Sequence, residues 1–390
     1  MANKTNRNAQ GAGSIRRRPD GRWEARYTVG RDGGTGKQIQ RSVYGATQQE
    51  VRKKLQRITA DIDNGAYTPP NKLSVGGWLD IWISEYLTDI KPHTLASYRT
   101  QCNIHIKPAI GNVRLTDLAA PMIQKLYNDL TAKDGLSAKT VKNIHGVLHK
   151  ALDQAKKIGY IRYNPADACT LPRVTKKDIE PLDNEQIRAF LGALDGEPYA
   201  DLFRVVMFTG MRQGEVLGLS WDNVDFEKGV ITISRQLQKS KEKGGGYYFE
   251  TLKNDKTRRI VPAPYVMEIL DGVRLKQTAD RLKAGAAWKS GDPINDNLVF
   301  TDELGEHLKH VNVYKHYKKI AAKIGAPNSR FHDLRHTYAV VALANGDNVK
   351  NVQEALGHHT AAFTLDVYGH VTDKMKRDSA ARMEKFIEQL

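Results

Sequence analysis

Residues 209–219 read Thr209-Gly210-Met211-Arg212-Gln213-Gly214-Glu215-Val216-Leu217-Gly218-Leu219. Glycines flank an arginine, which puts Arg212 in a tight turn. Glu215 follows at the spacing of one helical turn, close enough to hold the guanidinium. By itself such a pair is usually structural. Three further stretches carry side chains of the same chemical kind. Leu252-Lys253 ends a strand ahead of Lys256-Thr257-Arg258-Arg259-Ile260-Val261-Pro262. His332-Asp333-Leu334-Arg335-His336-Thr337 sets His332 and Arg335 three apart, on one face of a helix start. Leu356-Gly357-His358-His359-Thr360 is followed, ten residues after His358, by Tyr368.

Around these stretches the chain from Asp183 onward reads as helices with one small sheet. The pattern predicts helices over 184–194 and 199–208, and strands over 229–235, 247–252 and 258–261. In the first strand Val230, Thr232 and Ser234 alternate with Ile231 and Ile233. Residues 239–246, with three lysines and three consecutive glycines, read as a mobile basic loop. Helices resume at Tyr265 and run to the end, interrupted by Leu298-Val299-Phe300. The last of them sets Arg382, Met383, Phe386, Ile387 and Leu390 at amphipathic spacing.

The front of the chain reads differently. Residues 1–13 are a polar, flexible lead. Residues 14–44 carry three strand signals, with Asp20-Gly21 as a hairpin turn between the first two. In the middle strand Trp23, Ala25, Tyr27 and Val29 share one face, and Arg22, Glu24, Arg26 and Thr28 the other. Thr47-Gln48-Gln49-Glu50 is a capping box, and Val51, Leu55, Ile58 and Ile62 follow at helical spacing. The expected unit is a three-stranded sheet backed by one helix, with an arginine-rich outer face suited to a major groove. Arg16, Arg18, Arg22 and Arg26 are its candidate DNA contacts; a merely solvated basic face is the alternative.

Residues 65–73, with Pro69-Pro70, read as a linker. Residues 74–158 read as helical. Trp78, Ile81, Trp82 and Tyr86 form a core stripe, a helix spans 92–105, and 106–115 is irregular around Pro108 and Gly111. Further helices span 119–131 and 137–158. The last buries Val141, Ile144, Leu148, Leu152 and Ala155 and carries lysines outside that stripe, of which Lys139 and Lys142 are candidate DNA contacts. Asn164-Pro165 closes the unit, and 171–181 is a second linker. The domains expected are therefore 1–67, 73–170 and 180–390.

Charge follows this division. The 390 residues hold 60 Lys and Arg against 44 Asp and Glu, a net of +16. Residues 1–70 hold 14 basic and 6 acidic side chains, residues 71–176 hold 15 and 8, and residues 177–390 hold 31 and 30. Nearly all the surplus lies in front, which points to a polyanionic partner such as nucleic acid, with solubilising charge as the plainer alternative. Two cysteines, Cys102 and Cys169, exclude a disulfide scaffold and a structural cysteine zinc site, and point to a reducing, intracellular home. No apolar run approaches a membrane span and no hydrophobic signal region opens the chain.

Taken together, the four C-terminal stretches resemble the tyrosine recombinase family of the phage-integrase type. Order and spacing agree across about 183–390. The helical segment is similar to the family's core-binding domain, including Pro108-Ala109-Ile110-Gly111 and Asn164-Pro165. The N-terminal sheet is similar to the arm-binding domains of conjugative-transposon integrases. The resemblance implies a multidomain α+β fold: a small sheet plus helix, a helical core-binding domain, and a mainly α catalytic domain with a small antiparallel sheet.

It also implies roles. Tyr368 would be the nucleophile, forming a 3′-phosphotyrosyl link. Arg212, Arg335 and His358 would bind the non-bridging phosphate oxygens, Lys253 would protonate the leaving 5′-oxygen, and His332 would serve in proton transfer. Glu215 would orient Arg212, and His336 and His359 would be structural neighbours. No metal and no cofactor are implied. The implied partners are double-stranded DNA at arm-type and core-type sites, a homotetramer on that DNA, and an excisionase and a DNA-bending host protein. No membrane is implied, and the implied location is the bacterial cytoplasm. The tail helix would dock on a neighbouring subunit or pack on its own. A type IB topoisomerase and a DNA-binding regulator with a retired site are the rival readings.

Overall fold

The computed structural model describes residues 14–31, 33–64, 72–175, 180–240, 244–252, 256–289, 291–358, 360 and 372–389. The expected lead at 1–13, most of the first linker, residues 176–179 of the second and part of the basic loop lie outside them. The chain forms two compact units, Met1–Thr175 and Lys176–Leu390. The fold is mixed, with helices predominating over small antiparallel sheets.

The first unit opens with an antiparallel sheet of β1 (Ser14–Arg17), β2 (Trp23–Arg31) and β3 (Gln38–Gly45), in that order. Ala25 and Tyr27 of β2 are buried against Val51 and Leu55 of α1 (Gln48–Asp63), and Trp23, Val29, Ile58 and Ile62 pack around them. This is the apolar face read from alternation. The capping box closes differently from expectation. Thr47 accepts the Glu50 N–H at 3.2 Å, but the Glu50 carboxylate accepts from Ala46 N–H at 2.9 Å, one residue ahead of the cap.

A second apolar cluster in this unit is built by α2 (Val75–Glu85), α3 (Pro92–Gln101), α4 (Lys107–Ile110), α5 (Ala120–Ala132) and α6 (Ala138–Lys157). The expected α6 stripe is buried throughout. In α2 the tryptophans are buried, with Trp78 Nε1–H donating to the Ala151 carbonyl at 2.8 Å, but Ile81 and Tyr86 are exposed. The buried positions are Val75, Trp78, Leu79, Trp82 and Ile83, and Ile81 falls on the other side of that 3–4 spacing. The expected irregular stretch from Ile106 is also helical as far as Ile110. A π turn at Cys102–Ile106 joins α3 to α4 and lets Pro108 sit in a first turn, where its missing N–H costs no bond.

The second unit runs α7 (Asn184–Ala193), α8 (Ala200–Thr209), α9 (Gln213–Leu217), β4 (Val224–Asp225), β5 (Val230–Ile233), β6 (Arg235–Lys239), β7 (Tyr247–Thr251) and β8 (Arg258–Ile260). Then come α10 (Pro264–Ala284), α11 (His310–Lys323), α12 (Asp333–Ala344), α13 (Val349–Leu356) and α14 (Thr372–Ile387). One sheet was expected, and the described residues form two: β4-β5-β8, and the hairpin β6-β7. The strand expected over 229–235 changes partner at Ser234. Alternation continues through the change, because Ile231, Ile233 and Leu237 are all buried, so the period of two gives no warning of it. Phe190, Phe203, Tyr317 and Phe331 form the aromatic centre of the core. No described helix is long and apolar enough to cross a membrane.

Candidate active site

Helix α8 stops at Gly210, which adopts the left-handed region at φ 64°. A Cβ there would fall 2.6 Å from the Tyr338 ring and 2.7 Å from Leu356, so only glycine fits both the conformation and the space. The turn releases Arg212 in an extended conformation at the head of α9. Arg212 N–H donates to Glu215 Oε2 at 2.8 Å and its Nη1 to Oε1 at 2.6 Å, the pairing expected from the sequence.

Glu215 is buried at 1% exposure and has a second cation. Arg258 of β8 reaches the same carboxylate, Nη1 to Oε1 at 2.9 Å and Nη2 to Oε2 at 2.6 Å. Burial alone would raise the Glu215 carboxyl; the hydrogen bonds and charge of Arg258, with the charge of Arg212, hold it down at about 2. Arg258 was not singled out from the sequence. The signal was present in the period of β8, where Arg258 and Ile260 turn inward and Arg259 outward.

Arg335 is buried in α12 at 1% exposure. Its Nη1 donates to the Gly210 carbonyl at 2.7 Å and its Nη2 to the Leu356 carbonyl, so it joins the turn before Arg212 to the turn before His358. Gly357 ends α13 in the left-handed region, and Gln353 pins the next residue on both sides: its carbonyl accepts His358 N–H at 3.0 Å and its Nε2 donates to the His358 carbonyl at 2.8 Å. His332 precedes α12, and its ring stands 5.0 Å from that of His336. Burial, then the charges around it, including Arg335 and Arg212, push His332 down to about 4. Burial, Arg335 and Arg212 in turn push His358 down to about 3. Arg335 thus ties the turns that carry Arg212 and His358 together, and the His332 ring stands beside His336 on the same helix start. Lys253 and Tyr368 lie outside the described residues, as does His359.

The remaining polar side chains of the His332–Thr337 stretch serve the scaffold. Asp333 accepts Arg330 N–H at 2.7 Å, and the Thr337 hydroxyl accepts Leu182 N–H at 3.0 Å. Among the described residues no group of three or more His, Cys, Asp or Glu side chains is placed to hold a metal ion. A cavity of about 490 Å³ beside Tyr199, Gln277 and Leu304 contains none of the clustered side chains. The cluster combines guanidinium groups, whose fork matches the geometry of a phosphate, with imidazoles that burial keeps neutral at pH 7.

The sheet arginines are less free than the sequence suggested. Glu24, buried on the arginine face, accepts from Arg16 at 2.7 Å, Arg26 at 3.4 Å and Ser42 at 2.7 Å. Its hydrogen bonds to Ser42 and Arg16 lower its carboxyl to about 2. Asp20 pairs with Arg18 at 3.5 Å and Arg22 at 2.9 Å. Lys139 and Lys142 are exposed near the start of α6, as expected.

The phage integrase family matches residues 180–375, and the N-terminal SAM-like domain of phage integrases matches residues 75–131. The chain is 32% identical over 370 residues to a XerC-like tyrosine recombinase of Caldanaerobacter subterraneus subsp. tengcongensis, covering 90% of this chain and 93% of that one. A solved structure of the Tn1549 transposon integrase with a circular intermediate DNA superposes with a TM-score of 0.68 at 22% identity, covering 80% of this chain and 99% of that one. A lambda integrase tetramer bound to a Holliday junction gives 0.58 at 18% identity, with 93% and 97% covered. The two structural likenesses establish the fold. The chain belongs to the phage integrase family of tyrosine recombinases.

Proposed function

We propose that this chain integrates and excises a mobile genetic element, with Tyr368 as nucleophile and the Arg212–Arg335–His358 cluster as the seat of the scissile phosphate. The phenolic oxygen of Tyr368 attacks phosphorus, the bond to the 5′-oxygen breaks, and a 3′-phosphotyrosyl link and a free 5′-hydroxyl result. Lys253 supplies the proton taken up by the leaving oxygen. His332, largely neutral at pH 7, is suited to accept the phenolic proton. Arg212 and Arg335 carry the added negative charge of the transition state, and His358 donates to the same oxygens. Attack by the 5′-hydroxyl of a partner strand reverses the chemistry and yields a Holliday junction. The observation that carries this reading is the meeting of Arg212, Arg335, His332 and His358, from sequence positions over a hundred apart, around two glycine-terminated helices.

In this reading the domains act in order. Residues 1–67 bind arm-type DNA sites through Arg16, Arg18, Arg22 and Arg26. Residues 73–170, with Lys139 and Lys142, and residues 180–390 enclose the core site. The protein works as a homotetramer on double-stranded DNA in the bacterial cytoplasm, with an excisionase and a DNA-bending protein setting direction. Helix α14 exposes Met383, Phe386 and Ile387, an apolar set suited to docking on a neighbouring subunit. The Tn1549 integrase solved with a circular intermediate DNA and the lambda integrase tetramer solved on a Holliday junction, which share this fold, support the reading of DNA as partner and of a tetramer on it.

The test is covalent trapping on a nicked core substrate whose cleavage releases a short strand. Wild type should accumulate a protein–DNA band, and Tyr368→Phe should accumulate none. A wild type that binds its site yet traps nothing would make the chain a DNA-binding regulator.

A further inference from the structure

Arg258 belongs to none of the roles above, yet it touches three parts of the site. It forms a two-pronged pair with Glu215, its Nε donates to the Ala355 carbonyl at 2.8 Å, and its side chain lies where a Cβ on Gly357 would come within 3.1 Å. Its side chain is only 10% exposed, whereas that of Arg212 is 32% exposed. Arg212 therefore faces outward from Glu215 and Arg258 closes the carboxylate from behind. The charge balance gives this arrangement a purpose. With Glu215 alone, Arg212 is half of a neutral pair and presents little net charge to a phosphate. A second guanidinium on the same carboxylate leaves one positive charge in excess, and the exposed partner is the one that can deliver it.

We propose that Arg258 is a positioning residue for strand cleavage: it neutralises Glu215 so that the charge of Arg212 is available to the scissile phosphate, and it fixes the turn that carries His358. Both effects act through other residues. β8 begins five residues after Lys253, so the same short strand connects the proton donor's segment to the phosphate clamp. The role rests on the recombinase reading above.

The experiment is single-turnover trapping on the nicked core substrate with the full chain, comparing wild type, Arg258→Lys, Arg258→Met and the double variant Glu215→Gln/Arg258→Met. Arg258→Met should lower the cleavage rate about 100-fold, the scale of losing one donor at a developing anion. The DNA concentration giving half-maximal rate should move less than about threefold, because the effect is on the transition state. Arg258→Lys should recover about tenfold, since it restores the charge without the fork. The double variant should cleave at least about tenfold faster than Arg258→Met, because removing the carboxylate's charge frees Arg212 again.

A double variant as slow as Arg258→Met or slower would mean that Arg258 only packs the site, and would overturn the proposal. So would wild-type cleavage by Arg258→Met. If Arg258→Met does not fold, Glu215→Gln/Arg258→Gln against Arg258→Gln asks the same question, and failure of the carboxamide at position 215 to help overturns the charge argument. A wild type that traps nothing would instead overturn the recombinase reading, and this role with it.

Discussion

Two buried carboxylates organise two sets of arginines in this chain, and they do so to different ends. Glu24 lies under the outer face of the N-terminal sheet, and its partners Arg16 and Arg26 have side chains 56% and 48% exposed. Glu215 lies between Arg212 and Arg258, whose side chains are 32% and 10% exposed and meet it at 2.6 to 2.9 Å. Both carboxyls sit at about 2, but only Glu215 does so against burial as the leading influence. An acid under exposed arginines restrains cations that still face solvent, suiting them to the sequence-independent grip of a phosphate backbone. An acid between one enclosed and one outward-facing arginine fixes the direction of a single guanidinium, which suits it to one phosphate.

The sharpest way to break this comparison is to delete each acid. Glu215→Ala leaves the enclosed Arg258 guanidinium without its carboxylate, and should destabilise the C-terminal unit by about 3–5 kcal/mol. Glu24→Ala leaves its arginines free to turn to water and should lower the melting temperature far less. Calorimetry of the two variants decides the matter; equal losses would mean that the acids are equivalent.

Acid titration separates the regions next. His332 and His358 sit at about 4 and about 3, below the usual 6.5 of a histidine. Below pH 6.5 the unfolded chain binds protons that these folded imidazoles refuse, so their contribution to stability is full above about 6.5 and is lost as pH falls toward 4. The Glu215 contribution is present above about 4.5 and is lost only as pH falls toward 2. Residues 14–64 contain no histidine. Between pH 6.5 and 4.5, hydrogen exchange corrected for its intrinsic rate should show protection falling in α12 and α13 and holding in β2 and β3. Uniform loss would contradict this assignment of the imidazoles.

The smallest expected effect concerns grip. Glu24→Gln should release Arg16 and Arg26 and strengthen arm-site binding about threefold, the scale of a partly exposed ion pair. The logarithm of affinity should still fall by about 0.9 per logarithmic unit of salt for each phosphate neutralised. A binding curve that ignores salt would remove the sheet from the DNA surface.

The same contrast marks what was legible in the sequence. The α6 stripe and the apolar face of β2 declared themselves through period, since each buries one face of one regular element. The motif residues declared themselves through order and spacing. Glu24 was legible only as one of four residues on a face; its burial depends on Arg16 and Ser42, which β1 and β3 bring alongside. Arg258 is similar, because it gains meaning only when Glu215 and Ala355, 43 residues before it and 97 after it, close around it. The change of strand partner at Ser234 and the π turn before Pro108 left the local pattern undisturbed, so no reading of period would have found them.

In the reading proposed above, Tyr368 bonds covalently to DNA at the phosphate held by the guanidinium cluster. Protease digestion and mass spectrometry of the trapped wild-type complex test it most directly. A nucleotide 3′-phosphate should be attached to the peptide containing Tyr368, and to no other. Attachment at a different residue, or a cleaved strand with no protein attached, would contradict it.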